Sequence, residues 1–185
     1  MGDSTTQAAA ARASAEIDLM RLRVRDVPDF PQTGILFRDI TPLLSDPEVF
    51  HTAVEQMAAP FGGVDKVVAI ESRGFILGAP VALALRAGLV PVRKEGRLPS
   101  ETIRSAYSLE YGTAVLEIHR DAVAPGDRVL IVDDVLATGG TVGAAAHLVQ
   151  ELGGVVAGVS LLIELAALGG RERLAAFDVR SLLVY

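Results

Sequence analysis

The chain has 185 residues, of which 50% are hydrophobic and 22% charged, a balance typical of a globular protein rather than a disordered or fibrous one. Its net charge of −6 disfavours a protein that coats nucleic acid or an anionic membrane. It has no Cys, which excludes disulfides and thiolate chemistry, and it has eighteen Gly but only six Phe, three Tyr and no Trp. We therefore expect recognition by backbone amides more than by stacked aromatic rings.

The N-terminal segment 1–14 is small and polar, and we expect it to form a mobile tail. It lacks the basic start and apolar run of a signal peptide. The longest apolar stretches, near 75–85 and 155–163, are too short to span a bilayer. We therefore expect a cytoplasmic protein with no membrane or nucleic-acid partner.

Behind the tail, apolar residues at helical spacing predict a helix over 16–25, and the turn-rich stretch 29–39 is expected to be irregular. Ser45 has the features of a helix start, because a Pro and a Glu follow it. Further along, apolar β-branched runs predict buried strands and periodic segments predict helices. The strands are expected over 67–70, 90–92, 129–132 and 155–163, and the helices over 74–86 and 141–152.

The polar residues 93–106 have no sustained period and predict a long loop. A hairpin is expected after this loop, with its two strands over 107–111 and 114–118. Strands that alternate with helices predict an α/β fold with a mainly parallel sheet flanked by helices, and we expect one domain over 15–185.

The most informative segment is the run VLIVDDVLATGGT at 129–141. A buried strand delivers Asp133 and Asp134 to its carboxyl end, where ligands bind in open α/β sheets. Gly139 and Gly140 then let backbone N–H groups converge at the start of a helix, which makes a socket for phosphate. The carboxylates suit sugar hydroxyls or hydrated Mg²⁺, so a sugar phosphate satisfies both halves. The alternative interpretation is that the acids only cap a turn that the glycines bend.

This segment resembles the phosphoribosyl pyrophosphate signature of the type I phosphoribosyltransferases. Other segments resemble the adenine-using branch of that family, in the same order along the chain. They are FPQTGILFRDI at 30–40, ESRGF at 71–75, VRK at 92–94, YSLEYG at 107–112 and EL at 164–165. The resemblance runs from about Asp29 to Leu183 and implies the type I phosphoribosyltransferase fold, a mainly parallel twisted sheet with a small N-terminal hood at about 28–42.

The resemblance also implies the reaction and its participants. The adenine-using branch of the family joins adenine to phosphoribosyl pyrophosphate, which gives AMP and pyrophosphate in purine salvage, with Mg²⁺ as cofactor. Family members are commonly homodimers, so a homodimer is expected here. The Mg²⁺ ion is expected to be held mainly through the substrate, with Asp133 and Asp134 nearby.

Roles for individual residues follow from the resemblance. Residues 137–141 would hold the sugar's phosphate, Asp133 and Asp134 its hydroxyls, and Arg73 the pyrophosphate. The full set expected to bind substrate is Leu36, Arg38, Arg73, Arg93, Lys94, Arg97, Tyr111, Asp133, Asp134, Ala137, Thr138, Gly139, Gly140, Thr141 and Leu165, of which Leu36, Arg38 and Leu165 would contact adenine. The residues expected to be catalytic are Glu110, Arg73, Asp133 and Asp134.

Glu110 resembles the acid–base group that handles the proton on adenine's imidazole ring. Its apolar neighbours can raise the pKa of its carboxyl by desolvation, which this role requires. Strand alternation alone favours a solvent-facing side chain, however, and without the resemblance nothing distinguishes Glu110 from Glu117.

The predicted loop is locally basic, although the chain as a whole has a net negative charge. Arg93, Lys94 and Arg97 would supply charge to the leaving pyrophosphate, and a loop of this length is often a lid. A solvated loop of mixed charge is the alternative for Arg97 and for Arg104. Three residues depart from the family's usual pattern, namely Thr33, Glu95 and Arg97.

Two other functions fit parts of the pattern. A transferase acting on xanthine or another purine would share the pyrophosphate signature but not the hood segment. A non-catalytic regulator with this fold would need a DNA-binding region, for which the sequence leaves little room.

Overall fold

The computed structural model describes the backbone at residues 3–109 and 112–185, and side chains at residues 11–107 and 114–185. The chain divides into two compact units, Met1–Ala53 and Val54–Tyr185.

The unit Met1–Ala53 contains a helix and a small β-ribbon. Its elements are α1 (Asp3–Leu22), β1 (Arg25–Pro28), β2 (Leu36–Asp39), α2 (Thr41–Ser45) and the start of α3 (Pro47–Ala58). Strands β1 and β2 pair antiparallel, with Arg25 opposite Asp39. Between the strands the chain turns at Gly34, whose φ of +90° favours glycine and whose N–H donates to Asp29 Oδ1 at 2.7 Å.

Two predictions for this unit were wrong. Helix α1 begins at Asp3 rather than near Glu16, because the run of alanines at 8–11 has high helix propensity. The helix ends at Leu22, and the segment 29–39 is not wholly irregular, because β1 and β2 satisfy each other's backbone groups. The mobility of residues 1–14 stays a prediction.

The unit Val54–Tyr185 is built on a seven-stranded sheet with the strand order β5-β6-β4-β3-β7-β8-β9. The strands are β3 (Lys66–Ile70), β4 (Gly88–Lys94), β5 (Thr102–Leu109), β6 (Gly112–His119), β7 (Arg128–Leu136), β8 (Val155–Glu164) and β9 (Val179–Val184). The helices are α4 (Arg73–Leu85), α5 (Gly140–Glu151), a 3₁₀ turn (Ala166–Leu168) and α6 (Gly170–Arg173). Strands β4, β3, β7, β8 and β9 are parallel, while the β5–β6 hairpin joins antiparallel through β6. The predicted mainly parallel α/β sheet is confirmed.

Helices cover both faces of this sheet, and small residues allow one of them a close approach. Val68 and Ile70 of β3 pack into the same apolar cluster as residues of α5. Ala69 points to the other face, where a Cβ at Gly78 of α4 would lie only 2.5 Å from the Ala69 Cβ. Burial on both sides explains why the residues from Val129 to Val132 are all apolar and fully buried.

The order of the strands determines where a ligand can bind. The chain leaves β3 through α4 toward β4 on one side, while β7 lies on the other side of β3. Neighbouring connections that run in opposite directions leave a crevice at the carboxyl ends of β3 and β7.

The predicted long loop over 93–106 was wrong. Arg93 and Lys94 belong to β4, and β5 begins at Thr102, so the connection is only residues 95–101. The predicted hairpin is present as β5 and β6, but β5 starts earlier than expected because residues 102–106 also pair with β6, which their polar sequence does not show. No strand was predicted at β9, which pairs with β8 at the end of the sheet. In the part of the chain that the structure describes, every helix is too short or too polar to cross a bilayer.

Candidate active site

The carboxyl ends of β3 and β7 border a cleft of about 410 Å³. Six of the predicted substrate-binding residues line it, namely Arg73, Lys94, Asp133, Asp134, Ala137 and Thr141. Four further residues that were not predicted as site residues also line it: Glu71, Ser72, Tyr107 and Val135. The position of Glu71, directly after a buried strand, was the available signal for it.

The two adjacent carboxylates are buried, with 7% of Asp133 and 5% of Asp134 exposed. Burial raises the pKa of Asp133 well above its ordinary value, and the charge of Asp134 raises it further. Burial also raises the pKa of Asp134, but the Arg73 guanidinium acts in the opposite direction because its Nε lies 2.8 Å from Asp134 Oδ2. The Asp134 N–H donates to Asp133 Oδ1 at 2.9 Å, which fixes the first carboxylate against its own strand.

Arg73 reaches Asp134 because the turn between β3 and α4 is tightly packed. The Glu71–Ser72 peptide bond in this turn is cis. At Gly74, a Cβ would lie 2.8 Å from Asp133 Oδ1 and 3.1 Å from the Val132 carbonyl oxygen. A side chain at this position would therefore push the start of α4 away from the carboxylates.

The residues 135–142 enclose a second, smaller cavity of about 50 Å³ that includes Thr138, Gly139 and Gly140 in its lining. Gly139 has φ of +78° and occupies the N-cap of α5. None of the side chains that the structure describes makes a capping hydrogen bond there, so Asp133 and Asp134 do not cap this helix. The first N–H groups of α5 and the helix dipole therefore favour an anion at this point, which supports the phosphate socket over a simple turn.

The basic residues of β4 and of the strand that follows it differ in what they contact. Lys94 lines the main cleft, whereas Arg93 makes protein contacts: its Nε donates to Glu71 Oε2 at 2.8 Å and its Nη1 to the Arg97 carbonyl at 3.0 Å. Arg104 pairs with Glu95 at 2.7 Å. Glu95, one of the three residues that depart from the family's usual pattern, therefore lies in an exposed ion pair.

Glu117 of β6 is a buried carboxylate that the sequence left undistinguished. Its Oε1 accepts from the N–H groups of Arg97 at 2.8 Å and Leu98 at 2.9 Å, and its Oε2 accepts from Thr102 Oγ1 at 3.3 Å. Desolvation acts to raise the pKa of this carboxyl, but the hydrogen bonds outweigh it and hold the pKa below its ordinary value. Glu117 therefore stabilises the connection 95–101, and an acid between the apolar Leu116 and Ile118 was the signal for it.

Not all predicted site residues can be placed at the cleft. Leu36 and Arg38 belong to β2 of the unit Met1–Ala53, where Arg38 forms an ion pair with Asp26 across the ribbon. Leu165 follows β8, and its N–H donates to the Leu136 carbonyl at 2.9 Å. Glu110 and Tyr111 lie outside the described residues, so their roles stay predictions.

The residues of the cleft fit a Mg²⁺ ion that a phosphate-bearing ligand also binds. Among the described residues, no group of three or more His, Cys, Asp or Glu side chains could hold a metal ion by itself. Mg²⁺ commonly takes one or two carboxylates and completes its octahedral shell with phosphate oxygens and water. Asp133 and Asp134 supply carboxylate oxygens of this kind beside the phosphate socket.

Comparison with known proteins identifies the family. Residues 52–182 match the model of the phosphoribosyl transferase domain. The chain is 56% identical over 168 residues to an adenine phosphoribosyltransferase from Acidothermus cellulolyticus, which covers 90% of this chain and 95% of the relative.

Solved structures show the same likeness. The adenine phosphoribosyltransferase of Rhodothermus marinus superposes with a TM-score of 0.90 at 51% identity, over 93% of this chain and 99% of that one. The Saccharomyces cerevisiae enzyme, solved with adenine and an imino-altritol bisphosphate, superposes with a TM-score of 0.86 at 38% identity, over 92% of this chain and 99% of that one. The chain therefore belongs to the adenine phosphoribosyltransferase family of pentosyl-transferring enzymes.

Proposed function

We propose that the protein transfers the 5-phosphoribosyl group of phosphoribosyl pyrophosphate to adenine, which gives AMP and pyrophosphate in purine salvage. The observation that carries this proposal is one cleft in which Arg73 and two buried carboxylates lie beside the N-terminal socket of α5. A sugar that bears phosphates at two positions matches this alternation of cationic, acidic and N–H-rich surfaces.

The chemistry requires positioning and charge stabilisation more than covalent catalysis. Departure of pyrophosphate leaves positive charge on the ribose ring, which negative side chains stabilise and which water must not reach. Residues 137–141 would bind the 5-phosphate through their N–H groups and hydroxyls. Asp133 and Asp134 would accept hydrogen bonds from the ribose hydroxyls, and the ion pair with Arg73 favours the charged form of Asp134.

Cationic side chains would bind the leaving pyrophosphate, on the side of the carboxylates away from the 5-phosphate. Arg73 and Lys94 line the cleft and are the first candidates for this role. Arg93 and Arg97 would add charge, although the contacts of Arg93 with Glu71 and with the Arg97 carbonyl also give it a part in holding the connection 95–101 in position.

The adenine contacts rest on the resemblance. Leu36 and Arg38 would read the edge of the base, and Leu165 and Tyr111 would complete the substrate contacts. Glu110 would take the proton from the imidazole ring as the base bonds to the sugar. A pocket that hydrogen-bonds the amino group of adenine disfavours the 6-oxo purines, whose carbonyl oxygen meets an acceptor there.

We further propose that Mg²⁺ enters bound to phosphoribosyl pyrophosphate and neutralises part of its charge. The carboxylates of Asp133 and Asp134 would help to hold the ion. A cytoplasmic location follows from the same substrate, since a polyanion crosses a bilayer at high energetic cost and must be used where it is made.

A homodimer is supported by an exposed apolar face on α4. The side chain of Leu83 is 80% exposed and that of Ile76 is 46% exposed on this helix. These two residues lie seven positions apart, about two helical turns, so they share one face of α4. Exposed apolar side chains on one helix face are typical of protein–protein contacts, and we propose that a second copy of the chain covers them.

The reaction is tested by incubating the pure protein with phosphoribosyl pyrophosphate, Mg²⁺ and each of adenine, hypoxanthine, guanine and xanthine. We expect AMP from adenine and at least a hundredfold lower kcat/KM for the other bases, as is typical of a pocket that rejects a mismatched polar group. Product from another purine and none from adenine would overturn the base assignment.

The acid–base role is tested with Glu110→Ala, which should lower kcat by about 10²-fold or more. The control is Glu101→Ala, because Glu101 is a glutamate of the same β5–β6 region whose side chain is 88% exposed. Equal turnover in the two variants would remove Glu110 from the mechanism.

A further inference from the structure

The segment after β8 contacts the back of the phosphate socket through backbone atoms. A Cβ at Gly170 would lie 2.2 Å from the Ala137 carbonyl oxygen and 3.0 Å from the Gly139 nitrogen. Conversely, a Cβ at Gly139 would lie 2.8 Å from the Gly170 carbonyl oxygen. The two segments therefore touch at a distance that only glycine allows on either side.

Gly170 is held at this distance by its neighbour Arg171. The Arg171 guanidinium makes two hydrogen bonds to Glu164, one of them from Nε to Oε1 at 2.9 Å. It also donates to the Val179 carbonyl at 2.8 Å and to Ser181 Oγ at 3.3 Å. Glu164 is 5% exposed at the end of β8, so a bidentate pair on a buried carboxylate connects α6 to the last two strands of the sheet.

Both ends of this arrangement connect to the socket. Glu164 pairs with Leu136 in the β7–β8 register, immediately before the socket residues begin. The next residue, Leu165, donates its N–H to the same Leu136 at 2.9 Å. The socket backbone is therefore fixed at Leu136 by strand pairing and at Ala137 and Gly139 by contact with Gly170.

We propose that Gly170, Arg171 and Glu164 form a brace that positions the backbone N–H groups of the socket for the sugar's phosphate. This proposal rests on the proposed function, which identifies the substrate as a phosphorylated ribose. The members of the brace act through the socket and are positioning residues, because the main cleft and the socket cavity are lined by other residues of the described chain. A shift of about 1 Å in the socket would misalign several N–H donors at once.

The direct test is Gly170→Ala, with Gly143→Ala as the matched control. The φ of Gly170 lies outside the left-handed region, so alanine meets no backbone strain there, and the change is confined to the contacts of its Cβ with Ala137, Leu136 and Gly139. At Gly143 on α5, an added Cβ would meet only Leu174 Cδ2 at 3.9 Å, an ordinary contact. Ribose 5-phosphate is the probe, titrated into each protein by calorimetry, with KM for each substrate measured alongside.

We expect Gly170→Ala to weaken ribose 5-phosphate binding by about tenfold and to raise KM for phosphoribosyl pyrophosphate by a similar factor, with kcat less affected. Gly143→Ala should match the wild type in both. Unchanged ribose 5-phosphate binding in folded Gly170→Ala would overturn the brace. So would a wild type that does not bind ribose 5-phosphate at all.

A second pair of variants covers the case in which Gly170→Ala does not fold. Arg171→Lys keeps the positive charge but loses the bidentate geometry, so ribose 5-phosphate binding should weaken several-fold. Its control is Arg180→Lys, since Arg180 makes an exposed ion pair with Asp178 nearby. Equal binding by both lysine variants would contradict the brace. Because the titration contains no purine, an absence of AMP synthesis by the wild type would refute the proposed function and leave this test intact.

Discussion

Asp133 and Asp134 are neighbours in the sequence, yet their surroundings differ. Asp134 faces the Arg73 guanidinium at 2.8 Å, whereas Asp133 is surrounded by protein and accepts the Asp134 N–H. The pKa of Asp133 is raised well above its ordinary value by burial and by the charge of Asp134. Ionisation of Asp133 near neutral pH therefore opposes folding, as is common for groups selected for binding.

This difference predicts opposite effects of two conservative changes. Asp133→Asn should raise the free energy of unfolding at pH 7, by on the order of 1 kcal/mol, because it removes a buried carboxyl whose raised pKa opposes folding, while its Oδ1 still accepts the Asp134 N–H. Asp134→Asn should not stabilise the protein, because Arg73 then loses its ion pair with the carboxylate. Urea unfolding measures both, and each variant should raise KM for phosphoribosyl pyrophosphate.

The stability prediction for Asp133 has a defined pH dependence. A carboxyl with a raised pKa in the folded state lowers stability in full above that raised pKa, and this cost shrinks as pH falls from the raised pKa toward the ordinary value of 3.8. The advantage of Asp133→Asn over the wild type should therefore shrink as the pH is lowered from 7. An advantage that grows toward acid pH would contradict this account of the pair.

At the scale of elements, the connection 95–101 depends on one side chain outside it. Glu117 accepts two N–H groups from this connection and one hydroxyl from the start of β5. These hydrogen bonds lower the pKa of Glu117, so its carboxylate stabilises the fold above the ordinary carboxyl pKa of 4.5 and loses this effect as pH falls through the lowered value.

We therefore expect Glu117→Ala to destabilise the protein by roughly 1–3 kcal/mol at pH 7 and to raise KM for phosphoribosyl pyrophosphate. Glu117→Gln should change stability and KM less than Glu117→Ala does, because its amide oxygen can still accept the N–H groups of Arg97 and Leu98. The stability difference between wild type and Glu117→Gln should narrow as the pH is lowered below 4.5. Glu101→Gln, at an exposed side chain, serves as the control for charge removal and should leave stability within about 0.5 kcal/mol of the wild type.

At the scale of the whole molecule, the exposed face of α4 predicts how copies of the chain assemble. Leu83→Glu puts a charge on this face and should convert the proposed dimer to a monomer, because burying the charge costs more than the contact gains. Light scattering after gel filtration measures the mass directly. Leu22→Glu on α1 is the matched control, since Leu22 is 77% exposed but lies on a different helix. A monomeric wild type, or a Leu83→Glu variant that stays dimeric, would refute this interface.

The sequence by itself determined the parts that local pattern controls. A run of buried β-branched residues predicted β7, which the structure has. The acids and glycines that follow it predicted a ligand socket at the start of α5, where the structure has a small cavity and no side-chain cap among the described residues. The comparisons confirm the family resemblance. The sequence alone could show it because the matching segments are short, contiguous and chemically specific.

What depends on contacts between distant residues was decided by the tertiary structure alone. The first part of β5, residues 102–106, and all of β9 are strands because neighbouring strands satisfy their backbone groups, which local composition does not reveal. The partners of Glu117 lie some 15 to 20 residues away in the chain. Gly170 lies beside the socket only because β8 pairs with β7, which brings the segment after β8 next to the segment after β7. Such pairings depend on how the sheet brings its strands together, so a sequence names the residues of this site but only the folded chain shows which of them hold the others in place.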